Sequence, residues 1–263
     1  CVSTMSGISG HANLSLGNAY GSCIFNIAVI LGVATLIFPL VVKPSVSFIA
    51  GPGLALISLF SLIMLKDGSC SRVEAIVFLA AFLVILPLYC WYDQKTKERP
   101  EAEAKSEAEV EQRKILVPIV KLVVGLGVLI GSSHFLVWGA VDFAKFCGVS
   151  DLVIGLTIVA AGTSLPELAT SLVAAVKGKS QMALGNILGS NVFNVLLILG
   201  SAALIRPLDM EGINAIDFSA LLLCGIVVLV GALASRKRQL RFATGSALLL
   251  VGIAYMTYLF INL

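Results

Sequence analysis

Residues 17 to 32, GNAYGSCIFNIAVILG, align without a gap on residues 185 to 200, GNILGSNVFNVLLILG, at a constant offset of 168. Nine of the sixteen positions are identical: Gly17/Gly185, Asn18/Asn186, Gly21/Gly189, Ser22/Ser190, Phe25/Phe193, Asn26/Asn194, Ile30/Ile198, Leu31/Leu199 and Gly32/Gly200. A chain that carries one apolar segment twice, with the same polar residues at the same places, is built from two copies of a single unit. Their relative orientation depends on what lies between them. About 20 apolar residues cross the hydrocarbon core as a helix, and eight such segments run approximately at 17 to 42, 46 to 66, 71 to 92, 115 to 140, 150 to 176, 181 to 204, 214 to 235 and 241 to 262. The chain is 58% hydrophobic and 13% charged, with a mean hydropathy of +1.00; a soluble domain carries about 25% charged residues. The fold expected is therefore an all-α polytopic membrane protein. The second copy lies five spans after the first, an odd step, so it enters the membrane from the opposite face. Such an inverted-topology repeat is typical of secondary transporters, whose site lies near the midplane between the copies.

One acidic residue stands apart. Glu167, in the run GTSLPE, lies mid-span, whereas all the other acids lie in loops or within about two turns of a span end. A carboxylate at that depth costs at least roughly 2.5 to 3.5 kcal/mol on insertion scales, so it is expected to face a polar cavity or a bound cation. Pro166 lacks a backbone donor and crowds the carbonyl of Gly162, which predicts a kink near 160 to 166. Carbonyls freed from Ala160 to Thr163 need a partner where water is absent. Thr163 and Ser164 add hydroxyl oxygens. Asn186, Ser190 and Asn194 recur every four residues, as do Asn18, Ser22 and Asn26, so each trio lines one helix face. The glycines beside them allow close backbone approach. Together these groups outline a cation path. The competing reading is that the polar groups bond neighbouring helices and that Glu167 is hydrogen-bonded to Asn194 or Asn26.

Thirteen Lys and Arg residues fall in loops on one side of the predicted spans and four on the other. The positive-inside rule makes the first side cytoplasmic, including the charged loop 93 to 114, which reads as a connector. The expected location is a plasma membrane, of the bacterial inner-membrane kind, with lipid as the surrounding partner and no nucleic acid. No Ser/Lys, Asp/Asp or HExxH pair occurs within spans, so an intramembrane hydrolase is not expected and no catalytic residue is assigned. The six cysteines show no metal-ligand spacing and read as small apolar fillers. His134, in the fourth span, suits either helix packing or proton sensing.

GTSLPELATSLVAA followed by GNILGSNVFNVLLILG closely resembles the second alpha-repeat of the sodium/calcium exchanger family of cation/calcium antiporters, and GNAYGSCIFNIAVILG resembles the latter part of the first. The resemblance implies a ten-helix parent fold of two inverted halves, about eight complete spans of it here: 1–92 a truncated first repeat, 93–114 the cytoplasmic loop, 115–263 the second repeat. It implies alternating access and exchange of Ca2+ against Na+, with no covalently bound cofactor. The cation ligands it implies are Glu167, Asn194 and Asn26, the hydroxyls of Ser22, Ser190, Thr163 and Ser164, and the carbonyls of Ala160 and Thr163. The fourth span, with Gly125, Gly127 and Gly131, resembles the family's long tilted sliding helix. Two departures stand out. Cys23 occupies the place of Asn191, and the counterpart of Glu167 would fall two residues before Cys1, so the chain is read as a fragment of a parent with a GTSLPE-like element upstream. Calcium/proton exchange, potassium-dependent exchange, a cation channel and a non-transporting fragment are the alternatives.

Overall fold

The computed structural model describes residues 12–42, 69–96, 116–149, 151–209, 215–235 and 239–262. The first copy of the repeat forms one long span made of α1 (Ala12–Ile24), a π-helical stretch π1 (Phe25–Leu31) and α2 (Gly32–Ile37). The second copy does the same with α8 (Ser180–Val192), π3 (Phe193–Leu199) and α9 (Gly200–Ile205). The two π-helical stretches start and stop at equivalent residues, so the repeat extends to a wound-out turn that hydropathy does not reveal. The wider turn begins at the Phe-Asn pair of each copy and alters the backbone hydrogen bonding there.

The remaining elements are α3 (Arg72–Thr96), α4 (Leu116–Phe146), then α5 (Asp151–Ile154), π2 (Gly155–Val159), α6 (Ala160–Thr163) and α7 (Leu165–Val176), and finally α10 (Ala215–Ala234) and α11 (Phe242–Ile261). Six helices are long and apolar enough to cross a membrane, and the pair Gly155–Thr163 and Leu165–Val176, bent by 49°, makes a seventh span. Seven of the eight expected spans are thus found, and the eighth, 46 to 66, lies outside the described residues. The charged loop is described only through Thr96, where α3 ends. The start of α3 is held by a reciprocal cap: Glu74 Oε2 accepts from the Ser71 amide at 2.6 Å, and Ser71 Oγ accepts from the Glu74 amide at 3.4 Å.

The two copies are interleaved rather than side by side. The last helix of each half packs on the repeat span of the other: α11 on π1 and α2, α3 on π3 and α9. Gly32 faces Leu249 and Gly200 faces Leu79 and Phe78 at these crossings, where a longer side chain would hold the helices apart. Two short antiparallel bridges repeat the exchange. In the first, β1 (Leu40–Val41) pairs with β4 (Gln239–Leu240); in the second, β2 (Ser69–Cys70) pairs with β3 (Leu208–Asp209). Leu40 and Leu208 are offset by 168 and both are buried. One continuous core therefore draws on both halves.

At 31 residues α4 is about 46 Å long, against a hydrocarbon core of about 30 Å, enough to cross at a tilt. Among the described residues it packs mainly on the bent span, through several of its segments, while Val123, Val128, Phe135, Trp138 and Phe143 are exposed. A Cβ on Gly125, Gly127 or Gly131 would meet nothing within 4 Å among the described residues, so these glycines are not contact points there.

Candidate functional site

The bent span builds the site. Its break falls on Ser164 (φ −94°, ψ 1°), and Pro166 then lies in the first turn of α7, where a missing amide costs nothing. The kink expected from sequence is there, with Pro166 starting a helix rather than interrupting one. Gly162 has a second reason to be glycine: a Cβ there would collide with Val137 Cγ2 of α4, so its bareness lets α4 lie against α6.

Glu167 consequently sits in the first turn of α7, where the amide ends of the helix favour negative charge. Its Oε2 is buried with no hydrogen-bond partner among the described residues. Neither Asn194 nor Asn26 caps it. It faces a cavity of about 600 Å³ lined by Asn18 and Ser22 from α1, by Thr163, Ser164 and Glu167 from the bent span, by Asn186, Ser190 and Asn194 from α8 and π3, and by His134 from α4. Ile130, Val137, Phe193 and Ile198 supply apolar wall.

Six of the eight residues proposed from sequence therefore line one cavity: Glu167, Asn194, Ser22, Ser190, Thr163 and Ser164. Two do not. The Ala160 carbonyl is engaged rather than free: it accepts from the Ser164 amide at 3.2 Å and lies 3.4 Å from Ser22 Oγ and 3.3 Å from Thr163 Oγ1. The break at Ser164 is tight enough for its amide to reach back, which satisfies the carbonyl within the protein. Asn26 is 1% exposed; its Nδ2 donates to Asn191 Oδ1 at 2.9 Å, and its own Oδ1 is a buried acceptor with no partner among the described residues.

A polar cluster joins the halves at this point. Thr163 Oγ1 donates to Asn18 Oδ1 at 2.9 Å and lies 3.2 Å from Ser22 Oγ. On the other wall, Asn186 Nδ2 donates to Thr170 Oγ1 and Ser171 Oγ, both at 2.9 Å, and ties α8 to α7. Asn18 and Asn186 were visible in the repeat rows but absent from the expected ligand set. Their place one turn before Ser22 and Ser190 was the signal. His134 was a histidine on an otherwise apolar span, a weaker one. Among the described residues no group of three His, Cys, Asp or Glu could hold a metal, so the cavity is a carboxylate surrounded by hydroxyl and amide oxygens. Such hard oxygens suit Ca2+ and similar cations rather than soft transition metals.

The family model described as "Sodium/calcium exchanger protein" matches residues 1–91 and 117–261. CaxA of Alkalimonas amylolytica, named as an antiporter, is 35% identical over 262 residues, covering 98% of this chain and 82% of its own length. The sodium/calcium exchanger MaX1 of Methanosarcina acetivorans is 47% identical over 97 residues, 37% of this chain and 28% of its own. Among solved structures, the sodium-calcium exchanger NCX_Mj soaked with 2.5 mM Na+ and 10 mM Sr2+ superposes with a TM-score of 0.78 at 27% identity, covering 97% of this chain and 80% of that one.

Proposed function

The chain belongs to the sodium/calcium exchanger family, and from that premise we propose that it carries Ca2+ across a membrane against Na+ by alternating access through the Glu167 cavity. The observation that carries this reading is the buried Glu167 Oε2, an acceptor with no donor among the described residues, set among oxygens from both halves of the molecule. A buried acceptor left without a partner costs about 1 to 3 kcal/mol, and more when charged. A cation removes that cost.

Glu167 supplies the charge, Asn194 its amide oxygen, and Thr163, Ser164, Ser22 and Ser190 their hydroxyl oxygens. The hydroxyls of Ser22 and Thr163 now point at Asn18 and Ala160; rotating them turns their lone pairs to an ion and releases the Ala160 carbonyl to bind as well. Asn26 contributes its unpartnered oxygen from the first repeat. Ca2+ and Na+ compete for the same oxygens, and sharing them couples the two fluxes. A cavity holding an unneutralised carboxylate resists closing into an apolar surround, so switching requires a bound ion set. The long α4, exposed along most of its described length and packed mainly on the bent span, suits a helix that slides over the cavity mouth. The surplus of Lys and Arg on one side supports a plasma-membrane orientation with loop 93 to 114 in the cytoplasm.

The test is calcium uptake into proteoliposomes bearing the full-length protein, driven by an outward sodium gradient. Uptake that requires the gradient is expected, and Glu167→Gln should lower it by about 100-fold or more, as for loss of one partner of a buried charge pair. Uptake that ignores sodium but follows a proton or potassium gradient reassigns the coupling ion. Uptake without any counterflow makes the protein a channel.

A further inference from the structure

The repeat offset of 168 pairs Cys23 with Asn191, and these two equivalent residues touch each other. Asn191 Nδ2 donates to the Cys23 carbonyl at 3.0 Å, and Cys23 Sγ reaches the Asn191 carbonyl at 3.7 Å. They therefore straddle the axis that relates the halves. Asn191 also holds the amide of the other half's asparagine. Asn26 Nδ2 donates to Asn191 Oδ1 at 2.9 Å, whereas the equivalent place beside Asn194 carries only the thiol of Cys23.

The orientation of Asn26 follows from the donor inventory. A carbonyl only accepts, so the group Asn191 turns to Cys23 must be its NH2. Its oxygen then faces Asn26, and Asn26 must answer with its own NH2. What remains is Asn26 Oδ1, buried and without a partner among the described residues. Asn191 is fully buried, so water cannot substitute for it. On the equivalent side the thiol of Cys23 is a weak acceptor and imposes no such constraint on Asn194.

We propose that Asn191 is a positioning residue that turns the amide oxygen of Asn26 to the transported cation, and that Cys23 in the equivalent place leaves Asn194 more loosely set, so the two asparagines are unequal ligands. This rests on the exchanger reading above. The measurement is the calcium concentration for half-maximal uptake, with the maximal rate and the melting temperature, in the purified full-length protein. Asn191→Leu, which keeps the branching of the side chain but not the amide, lets Asn26 turn; half-saturation should rise about 10-fold, as for loss of one hydrogen bond to a charged group, with the maximal rate changed far less. Asn26→Asp presents an oxygen whichever way it turns. In that background Asn191→Leu should cost about 3-fold or less. Cys23→Asn gives Asn194 the firmer partner and should lower half-saturation relative to the parent. An equal penalty from Asn191→Leu with Asn or Asp at 26 overturns the proposal, because a purely structural role does not depend on residue 26. So does an unchanged half-saturation. If Asn191→Leu does not fold, Asn191→Ala is read in the same way; failure of both to fold, with Cys23→Asn leaving half-saturation unmoved, also overturns it. Absence of calcium uptake by the parent protein instead sinks the exchanger reading, a separate result.

Discussion

The repeat spans α1–π1–α2 and α8–π3–α9 share nine of sixteen residues in their motif, yet stand in different surroundings. In the first, Asn18, Ser22 and Asn26 are 7%, 3% and 1% exposed; in the second, Asn186, Ser190 and Asn194 are only half-buried and all line the cavity. A Cβ on Gly21 would lie 2.6 Å from the Leu156 carbonyl oxygen and 2.8 Å from Ala160 Cβ, whereas one on Gly189 meets nothing within 4 Å among the described residues. Sequence reasoning gives both glycines the same task of close helix approach. Only Gly21 performs it; Gly189 borders open space. Identical residues thus act as near-buried packing in one half, with Asn18 and Ser22 at the edge of the cavity, and as open cavity wall in the other. Where a neighbouring backbone lies decides between the two roles.

Three measurements would break or sharpen that contrast. The largest effect concerns access. With the other cysteines except buried Cys23 and Cys224 replaced, a cysteine at 190 should react with a water-soluble maleimide about 100-fold faster than one at 22, which is reached only by local opening; equal rates would mean that both rows face one open path. Next comes stability. Gly21→Ala should lower stability by about 1 to 3 kcal/mol through overpacking against α6 and π2, while Gly189→Ala should be neutral or gain up to about 1 kcal/mol of helix propensity. Thermal melts in detergent decide this, and a comparable loss at both glycines would restore the symmetric picture. The smallest effect compares two hydroxyls. Thr163→Val removes the 2.9 Å bond to buried Asn18 and should cost about 1 kcal/mol, with Thr163→Ser restoring it. Thr170→Val, at an exposed position that accepts from Asn186, should stay within about 0.5 kcal/mol in the same melts.

Much of the site was legible because the bilayer is an unforgiving solvent. A mid-span glutamate, a proline two residues after a serine and polar rows at helical spacing have few innocent explanations in hydrocarbon, so Glu167, Ser164 and the cavity-facing row of α8 could be read directly. The engagement of the Ala160 carbonyl could not be read, because it depends on how sharply the chain turns at Ser164. Nor could the pairing of Asn26, which depends on the acceptor aimed at it by Asn191. The π-helical stretches were hidden too, since hydropathy reports burial and not the number of residues in a turn.

The repeat and the odd step of five spans from one copy to the other were enough to determine that two units lie inverted in a membrane, because topology follows from counting crossings. Which helix of one unit leans on which span of the other, and hence which copy of Asn, Ser and Gly meets backbone and which meets the cavity, was decided only in the folded molecule. Those outcomes depend on contacts between residues more than a hundred positions apart, as between Thr163 and Asn18, and local sequence carries no information about the distance at which such partners come to rest.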